Sequence, residues 1–531
     1  MTFLTLKQGE SQVDDNKRVT KAAGLISIAT FISRITGYIK DMILARIFGA
    51  SGMTDAFFVA FRIPNLLREL FAEGSMSAAF VPVFTEYLTD KGREEAKRLA
   101  VVTFSFLLTI LSFICILGVI FAPTIAAVIA PGFLNDPEKF SMTVTLTRIM
   151  FPFLLFISLA ALSMGILNSL RAFFVPAIAP VFFNLVIIAS ALFLSPEFDR
   201  PLLAIAIGVT LGGATQFLVQ LPSIIRHGFG FRLLFNFSHP GLKRMLVLLL
   251  PAVLGMAVAQ INIFLSTIFA SYLPHGSVTY LYYGMRLIHF PVGIFGIAMS
   301  MAVLPVLSEQ AVKKEMHKLR DTFSFSLRLL FFITIPAMAG LIALGEPIVN
   351  LLFQRGRFTY MATIGTTEAL FFYSLGLWAF VGVRIVASTF YSMKDTRTPV
   401  FVAVLSVLVN ITFSLILMGP LRHGGLALAN SIASAVNFSV LFFVLRKRLG
   451  RLDTKRILRS FMKISIASLI MGILGHVALH GDMWKVTGMA VNKAGLLIGT
   501  IIVCLSVYLF LMYVLKSDEL KYLLELRRGK E

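Results

Sequence analysis

The chain has 531 residues, of which 57% are hydrophobic and 14% charged, and it carries a formal net charge of +21. Soluble globular proteins average about 25% charged residues. The composition therefore excludes a disordered or fibrous chain and a set of soluble catalytic domains, and leaves a polytopic membrane protein, expected to be all-α because backbone groups in lipid must be satisfied within each span.

Taken in chain order, residues 1–21 carry Lys7, Lys17, Arg18 and Lys21 but no apolar stretch ending in a small-residue cleavage site. The first apolar segment is therefore expected to be retained. Fourteen stretches are long enough to span a bilayer, which needs about 20 mostly apolar residues. They lie near 22–48, 54–86, 99–129, 142–170, 174–194, 201–225, 245–272, 278–310, 322–345, 361–392, 399–419, 424–445, 460–480 and 495–515. Backbone groups in lipid must be satisfied internally, so these spans should be helices. Cys115 and Cys504 lie in apolar runs, and neither a disulfide framework nor a metal site is readable from them.

The first span places Arg34, Gly37 and Asp41 on one helical face, with Lys40 beside it. In the second, Asp55, Arg62 and Glu69 recur at heptad spacing, flanked by Arg68 and Glu73, and Pro64 is expected to kink the helix. The eighth carries Arg286 and His289 on one face, with Tyr282 and Tyr283 a turn earlier. Asn184 and Asn410 stand at similar places in the fifth and eleventh spans, where they can hydrogen-bond between helices. Arg328 and Lys463 sit near span ends and can snorkel. The sequence assigns no role to Arg148, Arg384 or His289.

With a cytoplasmic N-terminus and alternating spans, the cytoplasmic segments hold 31 Lys+Arg against 8 on the other side. That bias orients both termini to the cytoplasm and accounts for most of the positive charge, so no nucleic-acid partner need be invoked.

An internal duplication is visible. TDAFFVAFRIPN (54–65) aligns with VTYLYYGMRLIH (278–289), VPVFTE (81–86) with LPVLSE (304–309), and TFSF recurs at 103–106 and 322–325. The offset is 223 to 224 residues in the first two pairs, and each copy holds six spans. An even number keeps both copies pointing the same way, which predicts two parallel six-helix bundles related by an axis along the membrane normal, plus two further helices. The expected divisions are 1–235 (helices 1–6), 236–450 (helices 7–12) and 451–531 (helices 13–14).

A charge at the bilayer centre costs about 2.5–3.5 kcal/mol even on a lenient scale. The intramembrane cations must therefore face water, a partner charge or a cargo. Asp55, Arg62, Glu69 and Glu73 can form ion pairs that lock or gate helices. Arg34, Lys40, Arg68 and Arg286 are less easily neutralised locally, and with Asp41 they are the candidate binding residues for an anionic, phosphate-bearing cargo held between the bundles. No catalytic or metal-binding motif stands in a plausible context, so no catalytic residue, metal or cofactor is expected. Cationic drugs would require an acidic cavity. A membrane glycosyltransferase would require paired carboxylates, and the outward loops are poor in them. A pure scaffold gives no reason for buried cations.

Several long segments carry a resemblance: FISRITGYIKD (31–41), ARIFGASGMTDAFFVAFRIPNLLR (45–68), FAEGSMSAAFVP (71–82), APGF (130–133), FQRGRF (353–358) and YSMKDTRTPV (391–400). In these the chain, from about residue 20 to 515, resembles the MviN-like lipid II flippases of the multidrug/oligosaccharidyl-lipid/polysaccharide exporter superfamily. The resemblance implies a V-shaped, MATE-like fold of fourteen helices in the bacterial inner membrane. It implies a transporter, not an enzyme, that serves peptidoglycan synthesis and so cell-wall biogenesis and cell shape. The implied cargo is undecaprenyl-pyrophosphate-linked disaccharide pentapeptide, carried to the periplasmic leaflet by a chain working as a monomer among membrane lipids. The family's cavity cations map onto Arg34, Lys40, Arg68 and Arg286, and its acids onto Asp41, Asp55 and Glu73. The last two helices map onto a groove for the lipid tail. Lys40 stands where many relatives have arginine, and Met285 and His289 where relatives often carry acids. Export of another anionic lipid-linked oligosaccharide stays open as an alternative, as does coupling to the membrane potential or to a monovalent cation.

Overall fold

The computed structural model describes residue 24 and residues 28–69, 75–230, 232–450 and 452–527. Among the described residues every regular element is helical. The first is α1 (28–48), followed by α2 (Gly52–Arg68), α3 (Ser75–Glu86), α4 (Arg93–Ile120), α5 (Ala122–Ile129), α6 (Pro137–Met150), α7 (Phe153–Ser169), α8 (Phe174–Ala189), α9 (Leu202–Leu218) and α10 (Leu221–Arg226). Then come α11 (Pro240–Ser271), α12 (Ser277–Pro291), α13 (Ile297–Val312), α14 (Met316–Ala343), α15 (Gly345–Phe353), α16 (Tyr360–Ser374) and α17 (Leu377–Ser392). The last are α18 (Arg397–Leu449), α19 (Thr454–Ala478), α20 (Ala490–Val514) and α21 (Asp518–Arg527).

Among the described residues, nine helical stretches are long and apolar enough to cross a membrane, or ten when the bent pair α16 and α17 counts as one span. That pair turns by 40° at its break. α18, counted once in that number, covers two of the fourteen apolar stretches of the sequence, 399–419 and 424–445. The turn from α12 to α13 follows Pro291 and widens into a π-helical turn over Val292–Gly296, as expected where a proline removes a backbone donor. In α2, by contrast, the helix runs through Pro64 to Arg68. α18 is interrupted at Arg422 (φ 47°, ψ −128°), just after Pro420. The Ser406 hydroxyl donates to the Ala433 carbonyl at 2.9 Å. Residues 27 apart in one straight helix would stand about 40 Å apart, so the two halves of α18 lie side by side as a hairpin.

The chain divides into two compact units. The first comprises residues 1–47, 56–129 and 133–257; the second comprises 48–55, 130–132 and 258–531. In the first unit, Phe80 stacks on Phe84 (5.1 Å) and Phe153 meets Phe183 (5.5 Å). The Asn184 amide donates to Thr36 Oγ1 and to the Ser33 carbonyl, both at 3.4 Å, tying α8 to α1. In the second unit, Phe331, Trp378, Phe438 and Phe461 meet edge to face. The Tyr508 hydroxyl donates to the Phe332 carbonyl at 2.7 Å. The Asn410 amide donates to Asn262 Oδ1, tying α18 to α11. Both asparagines thus bond between helices, as their positions in the sequence predict.

Asp395, in the loop between α17 and α18, shows how a turn is fixed. Its carboxylate accepts from the Thr398 N–H (3.0 Å) and hydroxyl (2.7 Å) and from Arg448 (2.5 Å). Burial works to raise its pKa, but the Thr398 hydroxyl and N–H and the Arg448 guanidinium outweigh it and hold the carboxyl down at about 2. A depressed carboxylate stabilises the fold above its unfolded pKa, about 3.9, and loses that contribution as pH falls through its folded value. Asp395→Asn should therefore cost roughly 1 kcal/mol near pH 6, after allowance for solvent screening. The difference from the parent in unfolding midpoint should shrink between about pH 4 and pH 2. A pH-independent difference would show that the charge is not what matters.

Candidate functional site

The first unit presents its charges on α1 and α2. On α1, the Lys40 ammonium lies 3.2 Å from Asp41 Oδ1, with side chains only 12% and 1% exposed. Arg34, half-buried on the same face, makes no hydrogen bond or ion pair among the described residues. On α2, Arg68 Nε donates to Asn65 Oδ1 (3.0 Å), Asn65 Nδ2 donates to Glu69 Oε1 (2.9 Å), and Arg68 Nη2 lies 3.6 Å from that carboxylate. The pairing of Arg68 with Glu69 is thus a three-residue chain at the end of the helix. Arg62 is half-buried one to two turns earlier. Glu73 lies outside the described residues.

The second unit holds Arg286, half-buried on α12, with His289 exposed a turn later. It also holds Asp55. The fully buried Asp55 carboxylate accepts from the Gly276 N–H (2.7 Å), the Thr279 N–H (2.9 Å) and the Thr279 hydroxyl (2.8 Å). These are donors at the start of α12, where orphan N–H groups and the helix dipole both favour an anion. Gly276 adopts φ +90°, and a Cβ there would also meet the Tyr280 ring at 2.9 Å. A Cβ at Gly52 would lie 2.1 Å from His275 Nδ1. Both positions therefore require glycine. Nearby, the Gly132 N–H donates to Ser271 Oγ at 3.0 Å.

The family described as "Lipid II flippase MurJ" matches residues 44–508. The chain belongs to the MurJ family of lipid II flippases. A probable lipid II flippase MurJ of Buchnera aphidicola subsp. Acyrthosiphon pisum is 37% identical over 498 residues, 92% of this chain and 96% of that protein. The lipid II flippase MurJ of Burkholderia cenocepacia is 34% identical over 510 residues, 95% of this chain and 98% of that one. A solved lipid II flippase MurJ in an inward closed conformation superposes with a TM-score of 0.78 at 30% identity, covering 93% of this chain and 99% of its own. An inward-facing multidrug resistance MATE transporter of the MOP superfamily gives 0.66 at 16% identity, covering 82% and 99%, and shows the fold alone. The MurJ family is one of transporters in the bacterial inner membrane and not of enzymes.

Within this chain, several polar residues are placed where the sequence does not predict them. Lys493, just before the apolar stretch near 495–515, is buried at the start of α20 and donates to Asn350 Oδ1 (2.9 Å) and the Val486 carbonyl (2.6 Å). Asn350 and Thr363 both donate to Gln354 Oε1 at 2.8 Å, so α15, α16 and the 484–493 segment share one network. Arg328 does not snorkel. Its side chain is 5% exposed and pairs with the buried Glu519 and with Asp518 at 3.7 Å. Lys463 donates to the Leu515 carbonyl at 2.7 Å. Buried His423, at the break in α18, lies 2.9 Å from the Gly365 carbonyl and 3.5 Å from Glu368. Arg148 Nε donates to the Val119 carbonyl at 3.3 Å. Arg384 is exposed on α17 and makes no hydrogen bond or ion pair among the described residues. No group of three His, Cys, Asp or Glu among them could hold a metal ion.

Proposed function

We propose that this chain moves lipid II from the cytoplasmic to the periplasmic leaflet by alternating access, with Arg34, Lys40, Arg68 and Arg286 contacting the pyrophosphate and sugar head. Membership of the MurJ family supports the cargo. The observation that carries the site is Arg34: a guanidinium on an apolar helix, without a partner among the described residues, one turn and a half from Lys40. Guanidinium groups suit bidentate phosphate contact, and an ammonium adds a point charge. Fourteen spans in two parallel six-helix repeats, with both termini cytoplasmic, complete the proposal. Its support is the 31-to-8 bias of basic residues and the matching asparagine bonds of α8 to α1 and of α18 to α11.

Captured anionic charge lets the bundles rock, and the potential assists. Moving negative charge out of a negative-inside cell releases about 2.3 kcal/mol per charge per 100 mV, so two charges give roughly 4–5 kcal/mol. The decisive measurement is leaflet accessibility of the lipid-linked precursor in cells depleted of this protein. Outward-facing precursor should disappear on depletion and return on re-expression. Normal accessibility during depletion, with a different lipid-linked glycan trapped inside, would transfer the assignment to another anionic cargo.

A further inference from the structure

Within the second unit, the end formed by α14, the start of α19 and the α20–α21 turn lines an open cavity of about 330 Å³. That is the space of roughly ten water molecules, enough for a phosphate carrying a small substituent. Five cations line it (Arg328, Lys455, Arg456, Arg459 and Lys463) against three acids. Two of the acids are already engaged. Glu519 is held by Arg328, by the Ser460 hydroxyl at 2.9 Å and by the Ser517 hydroxyl at 2.6 Å. Asp518 accepts from Arg456 at 2.8 and 3.1 Å. Lys455 and Arg459 are exposed at the cavity and make no hydrogen bond or ion pair among the described residues. The almost wholly buried Arg328 keeps its Nε without an acceptor. The cavity therefore holds more donors and positive charge than the protein itself satisfies.

Its surroundings identify the occupant. Leu458, Met462, Ile466, Leu469 and Ile473 are all exposed on α19. Spaced by three and four residues, they form one apolar stripe that begins beside Arg459. The cavity also adjoins the most basic connecting stretch of the chain, 446–459, which the charge bias assigns to the cytoplasmic side. A basic pocket at a helix end, continuous with a lipid-facing apolar stripe, is suited to a molecule with an anionic head and apolar tails. We propose that this cavity binds the headgroup of an anionic phospholipid, phosphate towards Lys455, Arg459 and Arg328, with the acyl chains along α19. The inference rests on the orientation given by the basic residues but not on the identity of the cargo.

The test uses the full chain, with binding of phosphatidylglycerol, phosphatidylcholine and inorganic phosphate measured by native mass spectrometry. The parent should bind phosphatidylglycerol at least tenfold more tightly than the other two. The double variant Lys455→Gln/Arg459→Gln removes only side chains without partners and should weaken phosphatidylglycerol roughly 30-fold. Lys455→Arg/Arg459→Lys should retain it, and Lys447→Gln, exposed in the same basic stretch but outside the cavity, should leave it unchanged. The proposal is overturned if the double glutamine variant binds as the parent does, or if Lys447→Gln weakens binding equally. Equal binding of phosphatidylcholine overturns it too. Inorganic phosphate binding as tightly as the lipid would instead show a free-anion site and overturn the assignment to a lipid.

Discussion

Arg34→Gln should leave the protein folded and inserted yet unable to support growth when it is the only copy in the cell. The reasoning separates it from its neighbour. Arg34 has no hydrogen bond or ion pair among the described residues, so removing its charge strands no carboxylate there. What is lost is a charged donor to the cargo, and a charge-assisted bond of this kind contributes about 1.5–3 kcal/mol, or roughly 10- to 150-fold in flipping rate. Lys40→Met differs. It takes an ion-pair partner from the Asp41 carboxylate, which is 1% exposed, and breaking a buried pair on one side costs about 3–5 kcal/mol. Lys40→Met should therefore lower the unfolding midpoint as well as activity, whereas Arg34→Gln should lower activity alone. Lys40→Arg should keep both. Thermal unfolding in detergent beside growth complementation distinguishes these patterns. Full activity of Arg34→Gln would remove Arg34 from the cargo site.

That contrast also marks where sequence reading succeeds and where it stops. The common face of Arg34 and Asp41 and the adjacency of Lys40 follow from helical spacing within one apolar stretch, and no long-range information is required. The chain of Arg68, Asn65 and Glu69 is local for the same reason. Asp55 is different. Heptad spacing groups it with Arg62 and Glu69, but three of its hydrogen bonds come from Gly276 and Thr279, more than two hundred residues away. Thr279 lies 224 residues from Asp55, the offset of the duplication. The alignment thus contained the pairing, but only as correspondence and not as contact. Lys493 and Arg328 fail for another reason. Hydropathy places a lysine or arginine near a span end in water, and it carries no record of the Asn350 amide, the Val486 carbonyl or the Glu519 carboxylate that replace water. A signal existed in each case: Lys493 falls between two apolar stretches with Trp484 nearby, and Glu519 is an acid just after the last span.

Asp55→Ala should unseat the start of α12. It removes an acceptor from two backbone N–H groups and one hydroxyl, all within a buried turn. A buried donor left without its partner costs about 1–3 kcal/mol, and loss of the anion at the start of the helix adds up to about 2 kcal/mol. A local loss of about 3 kcal/mol raises amide exchange at Gly276 and Thr279 roughly 100-fold. Asp55→Asn should fall between alanine and the parent. Its carbonyl can still accept from the Thr279 N–H and hydroxyl, but its NH₂ faces the Gly276 N–H, so donor meets donor. Hydrogen exchange read at these two amides then gives an order: parent most protected, asparagine next, alanine least. The order is specific to a carboxylate seated on a helix start. If Asp55 acted only as a general negative charge among cations, asparagine and alanine would be equivalent, and exchange at residues 276 and 279 would change no more than elsewhere in α12.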